Sequence, residues 1–395
     1  MIVVSTWTRP FVKSFVILLF IGTSIGSIYM MNLFGLETPF RIPNMLLLHK
    51  TIQLDAVTLL IMGVMYMIIP RFRNIEFTLK KFAYLSFLLI IVSMVLSSIQ
   101  LLDANSSVIS QALRLAGAIV FSTVIFSLLR VPPRVGRLAD YYFAASTCIL
   151  IVFNVVQLAG LQLEPLSMVY LWLLFPILTV FGIQYKTMPI FLGYVAPKKV
   201  FDKAAFIASL TSIMLFLSSL QSLAFISLLV STVLFAHSIY VFNKGLTPTQ
   251  LANVSRDEQT AEQMARYRST SRHLRIAYPF LLTGIIAGIL YAISAGQFAY
   301  YDLAIHLVTL GFVGTTIMMY LPLMLPPILG KYVQFVKFNK IPLVLLITAI
   351  LMRVVGDIVY LYPSAIKPVL GMSGFVVLVA MFAYVSMIHR AMEAR

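Results

Sequence analysis

The feature that most constrains this chain is the recurrence, from end to end, of apolar stretches about 20 residues long, the length a helix needs to cross a bilayer. Lipid offers no partner for a backbone amide, so a lone apolar stretch is stable there only as a helix. The expected fold class is therefore an all-α polytopic membrane protein. We place spanning helices at 12–34, 46–69, 82–103, 107–129, 141–162, 167–192, 203–221, 223–243, 274–296, 302–326, 341–361 and 368–389. With 61% hydrophobic and 11% charged residues, no soluble domain remains, and 1–395 reads as a single integral membrane domain. The first apolar segment is too long for a removable signal peptide and lacks a small-residue cleavage site, so it reads as a retained helix.

The net charge of +16 would suggest nucleic acid in a soluble protein, but the basic residues are concentrated on one side. Of 29 Lys and Arg, 23 lie in the loops and tails of one face, among them Arg9, Lys13, Arg71, Arg73, Arg134, Lys199, Arg268, Lys337 and Arg390; the opposite loops hold only Arg41 and Lys367. The positive-inside rule then puts both termini in the cytoplasm, and the expected location is the plasma membrane. Attraction to anionic lipid accounts for the basic face, and nucleic acid is excluded as the expected partner. The one extended polar connection, the cytoplasmic loop 244–272, carries both charge signs and is expected to form a short surface helix. Cys148 is the only cysteine, which excludes internal disulfides and cysteine-rich metal sites.

An internal repeat follows from two helices matched residue for residue. GVMYMIIP (Gly63–Pro70) and GIQYKTMP (Gly182–Pro189) share Gly-x-x-Tyr-x-x-x-Pro, and TTIMMYLPLMLPP gives a looser third copy with Tyr320 and Pro322. These are the second, sixth and tenth helices, the spacing expected of three sequential arcs of four.

Of five histidines, His49 and His306 enter the second and tenth helices from the same face. At 1.5 Å per residue, both imidazoles lie roughly 5–8 Å inside that boundary. An intramembrane histidine is a functional candidate by default, and imidazole is a common axial ligand of haem iron. The pair therefore suggests one bis-histidine haem; the competing reading is two interfacial side chains. His237, His273 and His389 lie at helix ends and read as interfacial, with a second haem held by His237 and His389 as the alternative.

Twelve helices in three pseudo-symmetric arcs, with histidines on the second and tenth, resemble haem–copper oxidase subunit I. Within that superfamily the segments HLVTLGFVG (His306–Gly314), GIQYKTMPIF (Gly182–Phe191) and ILMRVVG (Ile350–Gly356) are similar to motifs of the NnrS family of haem- and copper-containing membrane proteins. The resemblance implies a haem b-binding protein involved in electron transfer or nitric oxide response, with a redox partner protein or quinol, and copper by resemblance only. Three departures limit it. The family's His-x-His-Glu run is Leu47, Leu48, His49, Lys50 here, its Arg in the sixth helix is Gln184, and the copper-site histidines of the oxidases are missing, which removes a self-contained oxygen-reducing centre.

Haem propionates would supply anions for two intramembrane cations, Arg114 and Arg353. For Arg353, Asp357 one turn away is an alternative partner. Asp302, one turn before His306, and Gln53, one turn after His49, are candidates to orient the imidazoles. Asp55 reads either as a proton carrier or as a partner of Lys50 or Arg114, and Lys186 is expected to snorkel to the surface. Two further classes stay open: a secondary transporter with no haem, and an anchoring cytochrome subunit of a respiratory complex.

Overall fold

The computed structural model describes residues 6–34, 39–40, 42–102, 108–132, 137–191, 196–242, 257–294, 296–329, 340–360 and 367–393. Every span expected from the sequence is present: among the described residues, twelve helices are long and apolar enough to cross a membrane. Large apolar side chains such as Leu88, Met214, Ile293 and Phe382 stand exposed on their outer surfaces, as lipid contact requires. The chain is an all-α polytopic membrane protein.

The helices are α1 (Arg9–Leu33), α2 (Met45–Arg73), α3 (Lys80–Leu102), α4 (Val108–Leu129), α5 (Leu138–Leu158), α6 (Pro165–Phe191), α7 (Lys199–Leu217), α8 (Gln221–Ser238) and α9 (Asp257–Ile293). The tenth span is composite: α10 (Phe298–His306), a π-helical segment (Leu307–Gly314) and α11 (Thr315–Leu329). Then come α12 (Ile341–Tyr360) and α13 (Lys367–Glu393). The polar connection does not end in a separate surface helix: from Asp257 it is helical and continuous with the ninth span. Residues 243–256 of that loop, and Arg41, Arg134, Lys331 and Lys337 of the basic pattern, lie outside the described residues.

The chain divides into two compact units, one of Met1–Val135, Thr147–Gln162 and Pro322–Arg395, the other of Gly136–Ser146 and Leu163–Leu321. In the first, α1 packs between α2 and α13, α3 packs on α4 and α2, and α12 pairs with α13. In the second, α7 pairs with α8, α8 with α9, and α9 lies along α10 and the π segment.

The three spans that carry the repeated segments share two structural features. The second, sixth and tenth spans are the most buried of the twelve, with 83%, 89% and 61% of an 18-residue apolar stretch buried, whereas none of the others exceeds 50%. Each carries a glycine against a phenylalanine of the preceding span. A Cβ at Gly63 would lie 2.7 Å from Phe11, at Gly182 2.7 Å from Phe143, and at Gly311 2.5 Å from Phe280. Each contact lies within one unit. The Tyr66 hydroxyl in the first copy hydrogen-bonds Ser86 on the following helix at 2.8 Å.

The π segment begins directly after His306. Short π insertions inside α-helices are rare and concentrate at functional sites. Here Gly284 of α9 and Gly311 of the segment let the two backbones approach closely, with a Cβ at Gly284 falling 2.7 Å from Val308. Just before the register changes, the buried Tyr170 hydroxyl lies 2.8 Å from the Ala304 carbonyl and 3.1 Å from that of Gly284, tying α10 to α6 and α9. Tyr170→Phe keeps the ring and removes only this tether. It is expected to cost about 1 kcal/mol, read as a lowered thermal midpoint of the purified protein in detergent.

Candidate functional site

In the first unit, His49 stands one turn inside α2, and its Nδ1 is 2.7 Å from the main-chain carbonyl of Gly22 on α1. A carbonyl only accepts, so Nδ1 carries the proton and the lone pair resides on Nε2. The approach depends on a glycine: a Cβ at Gly26 would fall 2.5 Å from His49 Nδ1. One turn further along α2, Gln53 does not orient His49 as expected. Its Nε2 donates to Thr23 Oγ1 at 2.8 Å and to the Leu19 carbonyl at 3.3 Å, because a Cβ-free position at Gly22 lets it lie flat on α1. The Gly22-x-x-x-Gly26 spacing on α1, a close-packing signature of membrane helices, was readable in the sequence and is what seats both side chains.

Asp55 is buried on α2 and pairs with Arg114 of α4, Oδ2 to Nη2 at 2.7 Å. Ser97 Oγ of α3 lies 3.5 Å from the same nitrogen. Of the readings open for Asp55, the pairing with Arg114 is the one observed, so the guanidinium expected to face a propionate already has a carboxylate beside it. Arg353 is buried on α12, with Nη2 3.8 Å from Met30 Sδ, and Asp357 one turn on is fully buried.

In the second unit, His306 closes α10. Its Nδ1 lies 2.9 Å from the Asp302 main-chain carbonyl and 3.2 Å from Asp302 Oδ1. The orienting role expected of Asp302 therefore has its geometry, and this imidazole too is protonated on Nδ1, with its lone pair on Nε2. Its side chain is 21% exposed. Lys186 does not snorkel. It is buried, with Nζ 3.3 Å from Asp140 Oδ1 of α5, because a carboxylate 46 residues earlier in sequence meets it inside the unit. Nearby residues of α6 are also bonded internally: Gln184 accepts from the Tyr278 hydroxyl, and Thr187 shares a hydrogen bond with Tyr320.

The remaining histidines lie at or near the surface. His237 is exposed, with Nε2 3.3 Å from Lys198 Nζ; His389 is exposed, and His273 is partly so. Among the described residues there is no group of three or more His, Cys, Asp or Glu arranged to hold a metal ion. An axial pair of imidazoles does not depend on such a group.

A family model described as "Domain of unknown function (DUF8744)" matches residues 58–391. His306, Arg114 and Arg353 fall inside the matched region, and His49 lies before it. A comparison with curated proteins gives no match.

Proposed function

The chain belongs to the DUF8744 family, and we propose that it is a haem b-binding integral membrane protein of the plasma membrane, acting in electron transfer or nitric oxide response. His49 and His306 are the proposed axial ligands of a single haem near the extracytoplasmic face. The observation that carries the reading is the shared anchoring of the two imidazoles: each has Nδ1 on a main-chain carbonyl, so that a neutral ring keeps its lone pair on Nε2. That is the tautomer an axial ligand requires, and anchoring the opposite nitrogen fixes the ring plane. Bound haem would supply one-electron exchange at iron. The protein's own contribution is orientation, by the Gly22 carbonyl on one ligand and by Asp302 on the other. Arg353, one turn from the buried Asp357, and Arg114, bonded to Asp55, are the candidates to meet the propionates. A redox partner protein or quinol is the proposed exchange partner, and the positive-inside pattern supports cytoplasmic termini.

A secondary transporter without haem is the second reading, favoured by two intramembrane ion pairs, Asp55–Arg114 and Asp140–Lys186. Absorption spectroscopy separates the two. Purified protein is expected to show a Soret band and a sharp reduced α band at one haem per chain, with His49→Ala and His306→Ala each abolishing the low-spin spectrum. Colourless protein after expression with ample haem would leave the transporter reading in possession.

A further inference from the structure

The two imidazoles are anchored by groups of different charge. His49 Nδ1 faces the neutral Gly22 carbonyl of a neighbouring helix, at 2.7 Å. His306 Nδ1 faces both a carbonyl and a carboxylate of one residue, Asp302 O at 2.9 Å and Oδ1 at 3.2 Å. Asp302 is buried on α10, with 5% of its surface exposed, so its interaction with the ring is weakly screened by water. A carboxylate accepting from the Nδ1–H of a ligating histidine draws the proton outward and makes Nε2 a stronger electron donor; a neutral carbonyl does this far less.

We propose that Asp302 is a positioning residue that sets the reduction potential of the bound iron through His306. The inference rests on the haem reading above. A more basic Nε2 stabilises ferric over ferrous iron, so the Asp302 carboxylate holds the potential low. Orientation and charge are separable here. The main-chain carbonyl of Asp302 still accepts from Nδ1 when the side chain is changed, so the ring keeps its anchor while the negative charge is removed. Among the described residues of α6 and α10, Asp302 is the carboxylate in contact with the imidazole, and Glu164, just before α6, is exposed.

The test is a potentiometric titration at one pH, following the reduced α band of wild type, Asp302→Asn, Asp302→Glu and, as a control for loss of one negative charge at an exposed site, Glu76→Gln. Asp302→Asn is expected to retain one haem per chain with an upward shift in midpoint potential. Asp302→Glu is expected to return the potential toward wild type, and Glu76→Gln to leave it in place. Full haem occupancy in Asp302→Asn at the wild-type potential overturns this inference and leaves the haem reading standing. Loss of haem from Asp302→Asn and Asp302→Glu alike also overturns it, since Asp302 would then serve shape rather than charge. Wild-type protein without haem overturns the functional reading itself.

Discussion

Arg114→Ala is expected to destabilise the protein by about 3–5 kcal/mol, because it leaves a buried carboxylate without its partner in a low-dielectric setting. Asp55 and Arg114 side chains are only 4% and 14% exposed, and their 2.7 Å contact joins α2 to α4. The Coulomb term alone does not decide the outcome, since desolvation opposes it for both ions. What decides it is the asymmetry between breaking a pair and deleting it. Replacing both residues, as in Asp55→Leu with Arg114→Leu, is expected to recover most of the stability lost in Arg114→Leu alone. Unfolding of the four proteins of that cycle in mixed micelles reads the coupling directly, and additive single effects would show that the pair is not a unit. The cycle also tests the propionate role. If Arg114 serves the ion pair only, the double variant regains its haem along with its stability; if it also holds a propionate, stability returns and haem does not.

The spans were legible because crossing lipid demands length and apolarity that few other structures need, and both are local properties of the sequence. The deep burial of α2, α6 and the tenth span was legible for a different reason: Gly63 and Gly182 recur with the same neighbours, and glycines mark where another helix presses close. Interactions between distant residues were less accessible. The sequence kept Arg114 in view for Asp55 but did not choose between it and Lys50, and 59 residues separate the pair. Lys186 looked free to reach the surface because Asp140 lies on a different helix. The π segment had no signal at all. LVTLGFVG reads equally as α-helix, and its register is set by packing against α9 at Gly284 and Phe280, which sequence periodicity does not encode. Gln53 was a misreading of direction: one turn from His49 on the same face, it bonds α1 because Gly22 leaves room there.

The same shelf on α1 supports the second large effect. Gly26→Leu places side-chain atoms where the His49 ring now lies, since even a Cβ would sit 2.5 Å from Nδ1 and 2.6 Å from Cε1. The ring has to leave the Gly22 carbonyl, so one hydrogen bond is lost and the α1–α2 contact is overpacked. The combined cost is expected to be about 2–4 kcal/mol. Most of the bound haem is expected to go with it, because the displaced Nε2 no longer points along a fixed direction. A general weakness of α1 would produce the same loss of stability, so the informative comparison is in a His49→Ala background. Removing the imidazole vacates the space that the introduced isobutyl group would invade. The stability penalty of Gly26→Leu is expected to shrink to a fraction of its value there, while haem stays absent from both. An equal penalty with and without the imidazole would mean that Gly26 packs against the helix backbone rather than against His49, and that the seat of this ligand lies elsewhere.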